Sequence, residues 1–385
     1  MTDDERRARL ATRHALSPAC RAGSPDAAVR ALTALHATEP ASVYLSCWAR
    51  VPGFEVADLD RALYDERSLV KQLAMRRTLF VLPRDLLPAV WPSASARVAT
   101  ILRARMTKQI VRAGLAEDGG AWLDKAGAAV LAELADVPEG RTGAELRAAV
   151  PMIDVRASVP AGAPGEVFTA SNVLVYLGVT GEIVRATNSG RWHTSRPRWT
   201  LMRHWLGEVP PWWPAADGYS ELVRRWLFTF GPGTEDDLVW WLGATRTAVR
   251  AALAGLDAVT VRLADGGTGW LLPDDVSEVP DPGHWVALLP VLDPTVMGWR
   301  DRDFYLGPHR DHVFDSRGNA GTTAWADGRI VGCWVQDDAG VVRVRLLEPV
   351  PAATGRALDA EAERLTAWLG GLRVRSVYSS PAMRG

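Results

Sequence analysis

Cysteine is scarce in this chain. Its 385 residues hold three, Cys20, Cys47 and Cys333, far apart in sequence. They form neither a disulfide framework nor a metal-ligand spacing, and a reducing cytosol is the simple reading. Long apolar runs are also missing. No stretch reaches the ~18 residues that a membrane-crossing helix needs. The first residues, Met1 to Arg7, lack the apolar core of a signal peptide. Lysine is as scarce: Lys71, Lys108 and Lys125 are the only three among 44 basic residues. The net charge of −1 excludes a uniformly basic nucleic-acid binder.

An apolar content of 48% with 23% charged residues describes a globular protein, and the length exceeds one ordinary core, so two to four units are expected. The charge is segregated. From Arg67 to Arg112 there are ten Lys or Arg and one acid, Asp85. From Ile183 to Gly207 there are five arginines, with His193 and His204, and no acid. Acids collect at 117–145 and 257–281. Such segregation suits phosphate contact, because each neutralised phosphate releases condensed counterions.

The chain reads as one pattern repeated. Helices are expected at Arg6–Ala15, from Ser24-Pro25-Asp26 to about His36, at Ser42–Arg50 and at Val56–Glu66, followed by strands Leu69–Leu73 and Arg77–Leu82. A long helix spans 92–114. Helices at Trp122–Ala135, Thr142–Val150 and Pro164–Leu177 precede a hairpin, Ile183–Thr187 and Arg191–Trp199, turning at Asn188-Ser189-Gly190. Helices at Tyr219–Phe230, Glu235–Leu242 and Thr245–Leu256 precede a third hairpin, Val259–Leu263 and Gly269–Pro273. The remainder is strand-rich, at Trp285–Leu292, Gly321–Trp325, Ile330–Val335 and Val341–Leu347, with a helix Ala357–Leu369 and a strand Arg373–Tyr378. The Pro-rich 208–216 is the best boundary. The expected units are 1–90, 91–207, 217–280 and 284–385, with winged helix-turn-helix order in the first three. Trp226, Trp240 and Trp241, at helical spacing, are expected in the core. His309, Asp311, His312 and Asp315 are expected in a surface loop. Gly231-Pro232-Gly233 lacks the Lys-Ser/Thr of a phosphate loop.

The most informative segment is Leu35 to Val51, where His36, Thr38 and Glu39 follow an apolar run and precede Pro40. It resembles the signature of the AlkZ-like DNA glycosylases. Further resemblance lies in Met75-Arg76-Arg77-Thr78-Leu79-Phe80-Val81-Leu82-Pro83, in Phe230 to Thr234 with Trp240-Trp241, in Leu288 to Pro294, in Arg300-Asp301-Arg302 and in Asp327 to Trp334. The order and spacing of these pieces carry the resemblance across nearly the whole chain. It implies an α+β fold of three tandem winged helix-turn-helix units in a C shape with a β-rich C-terminal part. It implies hydrolysis of the N-glycosidic bond of cationic alkylated purines on the concave face, with no metal or organic cofactor. Well-studied branches carry Gln-x-Gln or Gln-x-Asp where this chain has His36-Ala37-Thr38.

The expected catalytic residues are His36, Thr38 and Glu39. A histidine with an unperturbed pKa near 6.5 suits a base at neutral pH. Thr38 orients a water, and Glu39 supplies negative charge. His36 and Thr38 are expected within a side chain's reach of each other, facing a basic groove. The expected DNA contacts are Arg50, Arg76, Arg77, Arg103, Arg105, Lys108, Arg191, Arg196, Arg198 and Arg302. The expected partner is double-stranded, alkylated DNA, bound by a cytoplasmic, nucleoid-associated monomer without membrane contact. The rival reading is a non-catalytic winged-helix DNA-binding protein, a lesion sensor or a regulator.

Overall fold

The computed structural model describes residues 1–160, 162 and 165–384. After α1 (Asp3–Arg13), one order of elements recurs three times. The first instance is α2 (Pro25–Ala31), β1 (Leu35–His36), α3 (Pro40–Trp48), α4 (Val56–Asp60, widening into a looser turn to Asp65), β2 (Leu69–Ala74) and β3 (Thr78–Pro83). Its sheet runs β1-β3-β2, all antiparallel. A short helix α5 (Leu87–Val90) leads into α6 (Ala96–Arg112).

The second instance is α7 (Gly119–Leu134), β4 (Arg141–Thr142), α8 (Gly143–Ala149), the small hairpin β5 (Arg156–Ser158) and β6 (Val167–Thr169), α9 (Ala170–Val179), β7 (Ile183–Asn188) and β8 (Pro197–Leu201). Its main sheet runs β4-β8-β7, the same permutation. After α10 (Met202–Leu206), the third is α11 (Ala215–Phe230), α12 (Glu235–Leu242), α13 (Arg246–Gly255), β9 (Val259–Arg262) and β10 (Thr268–Leu271), with a bridge between Gly233 and Trp270 in place of the first strand. A Cβ on Gly233 would lie 2.1 Å from the Trp226 ring, so this close approach needs glycine.

The C-terminal part is a four-stranded antiparallel sheet, β11 (Val286–Leu289), β12 (Thr323–Ala326), β13 (Arg329–Gln336) and β14 (Val342–Leu346), in sequential order. Short helices α14 (Pro294–Met297), α15 (Asp303–Leu306) and α16 (Arg310–Val313) fill the β11–β12 connection. Then α17 (Ala352–Leu369) packs on β11 and β14, and α18 (Pro381–Arg384) closes the described chain. No described helix is long and apolar enough to cross a membrane.

Several expectations shift. The helix expected to reach His36 stops at Ala31, because Thr33 takes φ 63°. Its hydroxyl bonds the Arg225 carbonyl at 3.2 Å and Thr229 at 2.9 Å, which holds that turn. His36 therefore sits on a strand. The helix start expected at Pro164 lies outside the described residues; Val167–Thr169 is strand and the helix begins at Ala170. The stretch 373–378 is not a strand. The Gln336 side-chain amide takes the strand partner's place, donating to the Leu372 carbonyl and accepting from the Val374 N–H. Trp226 and Trp241 are core, but Trp240 is half-buried. His309 is buried as well, 2.8 Å from Glu348.

Candidate active site

The His36-Ala37-Thr38-Glu39 segment sends its polar side chains to three places. The chain leaves β1 extended, with Leu35 opposite Val81, His36 opposite Phe80, and the Ala37 N–H on the Leu79 carbonyl at 2.9 Å. His36 lies inside the packed sheet, 6% exposed, its ring tilted on Phe80 with centroids 4.7 Å apart. Among the described residues neither ring nitrogen has a hydrogen-bond partner. Burial, reinforced by the Arg76 charge and only partly offset by Asp293, pushes its pKa down to about 3. Burial thus holds the ring neutral, and its surroundings lend the expected basic role no support. It also does not face the groove with Thr38.

Thr38, one alternation further on, passes the end of the sheet and is exposed. It lines a groove of about 480 Å³ with Leu73, Arg77, Arg105, Gln109, Glu166 and Arg185 among its walls. Glu166 is the carboxylate of this groove; it pairs with Arg105 and accepts from Gln109 Nε2 at 2.7 Å. Glu39 turns the other way. It precedes Pro40 at the α3 N-terminus but makes no side-chain cap. Its carboxylate accepts from Ser376 Oγ at 3.1 Å and lines a separate cavity of about 200 Å³ with Trp334 and Arg375. Burial raises its pKa, against the opposing bonds from Ser376 and Val377.

The expected DNA-contacting residues also divide. Arg50 is fully buried; its guanidinium pairs with Asp293 at 2.8 and 2.9 Å and donates to the carbonyls of His14 and Ser46. It ties α3 to the start of α14 and has no access to DNA. Arg302 is 4% exposed, its Nε on the Trp299 carbonyl and its guanidinium 4.4 Å from the Phe314 ring centre; it too is structural. Arg76 and Arg77 form the β2–β3 tip with consecutive left-handed φ of 54° and 60°. That geometry splits them. Arg76 lies 4.1 Å from the Trp240 ring centre, locking the tip against α12, and burial beside Arg302 lowers its pKa to about 10. Arg77 is exposed on the groove.

Arg103 is half-buried and held bidentately by Asp124 at 2.6 and 2.8 Å. Arg198 is held by the Gly140 carbonyl and lies 3.4 Å from Glu145. Lys108, Arg191 and Arg196 are exposed, with no ion pair among the described residues. Sequence reasoning missed Gln109, Glu166 and Arg185. Arg185 stood out only as one of a basic run. Glu166 gave no signal, because Gln109 and Arg105, which hold it, lie 57 and 61 residues away.

Elements of the first two repeats and α6 line a polar groove rimmed by arginine, in a protein of mixed α and β structure. The family model described as "DNA glycosylase AlkZ-like" matches residues 29–368. The chain belongs to that family, and with it to DNA-binding proteins of the glycosylase kind. No curated protein matches. Among solved structures, the Streptomyces sahachiroi DNA glycosylase AlkZ superposes with a TM-score of 0.73 at 19% identity, covering 95% of this chain and 97% of that one. At that identity the likeness is one of fold.

The absence of a partner for His36 gives a direct test. His36→Phe should fold with stability within about 1 kcal/mol of wild type or better, since an unbonded polar ring is exchanged for an apolar one of similar shape. Thermal melting and base-release assays check it. Excision lost at unchanged stability would return His36 to the chemistry.

Proposed function

We propose that this protein is a monofunctional DNA glycosylase that hydrolyses the N-glycosidic bond of cationic alkylated purines in duplex DNA. The observation that carries the reading is the family match from residue 29 to 368, together with Thr38 placed in an arginine-rimmed groove. The recurring order of elements supports three winged helix-turn-helix units arranged in a C, with this groove on the concave face. An N7-alkylated purine already leaves readily, so the enzyme's work is to hold a water and stabilise an oxocarbenium-like sugar. In this reading Thr38 orients the water, Glu166, held by Arg105, faces the developing positive charge, and Arg77 holds a flanking phosphate. Protection against a DNA-alkylating metabolite, or general base-excision repair, is the corresponding role.

Incubation with duplex DNA containing N7-methylguanine, followed by alkaline cleavage, tests this. Wild type should release the base. Glu166→Gln should slow release by roughly 10²-fold, the scale on which one electrostatic stabiliser acts. Thr38→Ala should cost roughly 10-fold, below the ~10²–10⁴ of a proton-transfer group. One observation favours the rival reading: His36, in the segment that resembles the family signature, is buried and without a partner among the described residues. Wild type that binds the lesion and releases nothing decides for a non-catalytic lesion binder.

A further inference from the structure

The cavity beside Glu39 has no part in the proposed mechanism. It lies between the start of α3 and the segment 373–379, and holds about 200 Å³. Leu45, Val291, Trp334 and Met383 give it mainly apolar walls. It shares no wall residue with the Thr38 groove, so an occupant does not depend on the DNA site.

One wall carries a charge. Among the described residues three carboxylates are buried: Glu39, Asp237 and Asp293. Two of them are matched inside the protein. Asp293 has the Arg50 guanidinium. Asp237 accepts four hydrogen bonds, from the N–H and hydroxyl of Thr234 and from the Arg300 and Asp301 N–H groups. Glu39 accepts two, from Ser376 Oγ at 3.1 Å and from the Val377 N–H. A carboxylate has room for about four. No cation pairs with Glu39 among the described residues. Arg373 turns instead to Asp338 at 3.2 Å, and Arg375 is exposed without an ion pair. A buried charge left in this condition is costly unless something else supplies the partner.

We propose that this cavity is a binding site for a small organic cation, an amine carried on a flat apolar body. The ammonium brings three N–H donors and one positive charge to the open lone pairs of Glu39, and it holds the carboxylate ionised. The hydrocarbon body lies against Leu45, Val291, Trp334 and Met383. The size suits a single ring, since a cavity of about 150 Å³ takes up benzene. Glu39 follows Thr38 in the chain, so an occupant holds the signature segment from the side away from the groove.

Isothermal titration calorimetry of the full-length protein with benzylamine tests this, with benzyl alcohol and benzoate as the neutral and anionic counterparts. At neutral pH benzylamine should bind roughly tenfold or more tightly than benzyl alcohol, about the least that a hydrogen bond to a charged group contributes. Benzoate should bind least. Glu39→Gln should erase the advantage of the amine. Ser379→Trp, at a half-buried wall position, keeps the carboxylate and fills the space, and should weaken amine and alcohol alike. Melting temperatures near wild type show that both variants are folded. Equal affinity for benzylamine and benzyl alcohol overturns the inference, as does a failure of benzylamine to bind. Amine binding that is unchanged in Glu39→Gln also overturns it, and points to the acidic cleft of Asp4, Glu5, Glu278 and Asp281 beside α1.

Discussion

Asp293→Ala should destabilise the fold by about 3–5 kcal/mol, the cost of leaving a buried charge uncompensated. Asp293 and Arg50 are both 0% exposed. The carboxylate accepts from Arg50, from Ser46 Oγ at 2.7 Å and from the Thr295 N–H at 2.9 Å. Removing it strands a guanidinium that cannot shed its proton. Chemical denaturation followed by circular dichroism measures the loss. The double change Arg50→Met with Asp293→Leu should recover much of it, because apolar replacement of a whole buried pair is often near neutral. A loss under about 1 kcal/mol for Asp293→Ala would show that water reaches the pair.

The same pair sets an acid limit. Burial alone would raise the Asp293 pKa, but the Arg50 charge and the bonds from Arg50, Ser46 and Thr295 bring it below the ordinary value. The folded pKa thus lies below the unfolded one. The contribution is fully present above the ordinary carboxylate range and is lost as pH falls through the folded pKa. Asp293→Ala should flatten the acid limb of the stability–pH curve.

Arg50 also shows where sequence reading stops. A lone arginine after an apolar helix looks like a surface cation, and its partner is 243 residues away. Local punctuation, by contrast, was legible. The helix expected at Glu235–Leu242 is the helix observed, because Thr234 and Asp237 form a reciprocal cap that local sequence announces. The hairpin at Asn188-Ser189-Gly190 was legible as a turn but not in its size. Asn188 Nδ2 donates to the carbonyls of Gly190, Arg191 and Thr194, and its Oδ1 accepts from the Arg196 N–H, so one amide organises a loop reaching Pro197. In the signature segment the residue types were legible and their directions were not. Whether His36 faces a groove or Phe80 is settled by a strand pairing with residues 44 positions on, and by a turn at Thr33 that a helical pattern hides.

DNA affinity should fall steeply with salt, and unequal losses among the basic residues should show which of them touch phosphate. Arg77, Lys108, Arg191 and Arg196 are exposed and carry no ion pair among the described residues. Four such contacts give a slope of log affinity against log salt near about −3.6, so binding should weaken roughly 10²-fold between 50 and 200 mM. Replacing any one by alanine should reduce the slope by about 0.9, with little dependence on base sequence, because phosphate contacts carry no base information. Arg103→Ala and Arg198→Ala should do much less. Their guanidiniums already face Asp124 and Glu145, and a phosphate would have to displace a carboxylate before gaining the cation. Fluorescence anisotropy across a salt series, on two unrelated duplexes, separates the classes. Equal effects from all six substitutions would mean that the ion pairs open at no cost on binding. Affinity that does not change with salt would mean that the basic runs are solvated faces, and that the groove beside Thr38 is not where this family member holds its DNA.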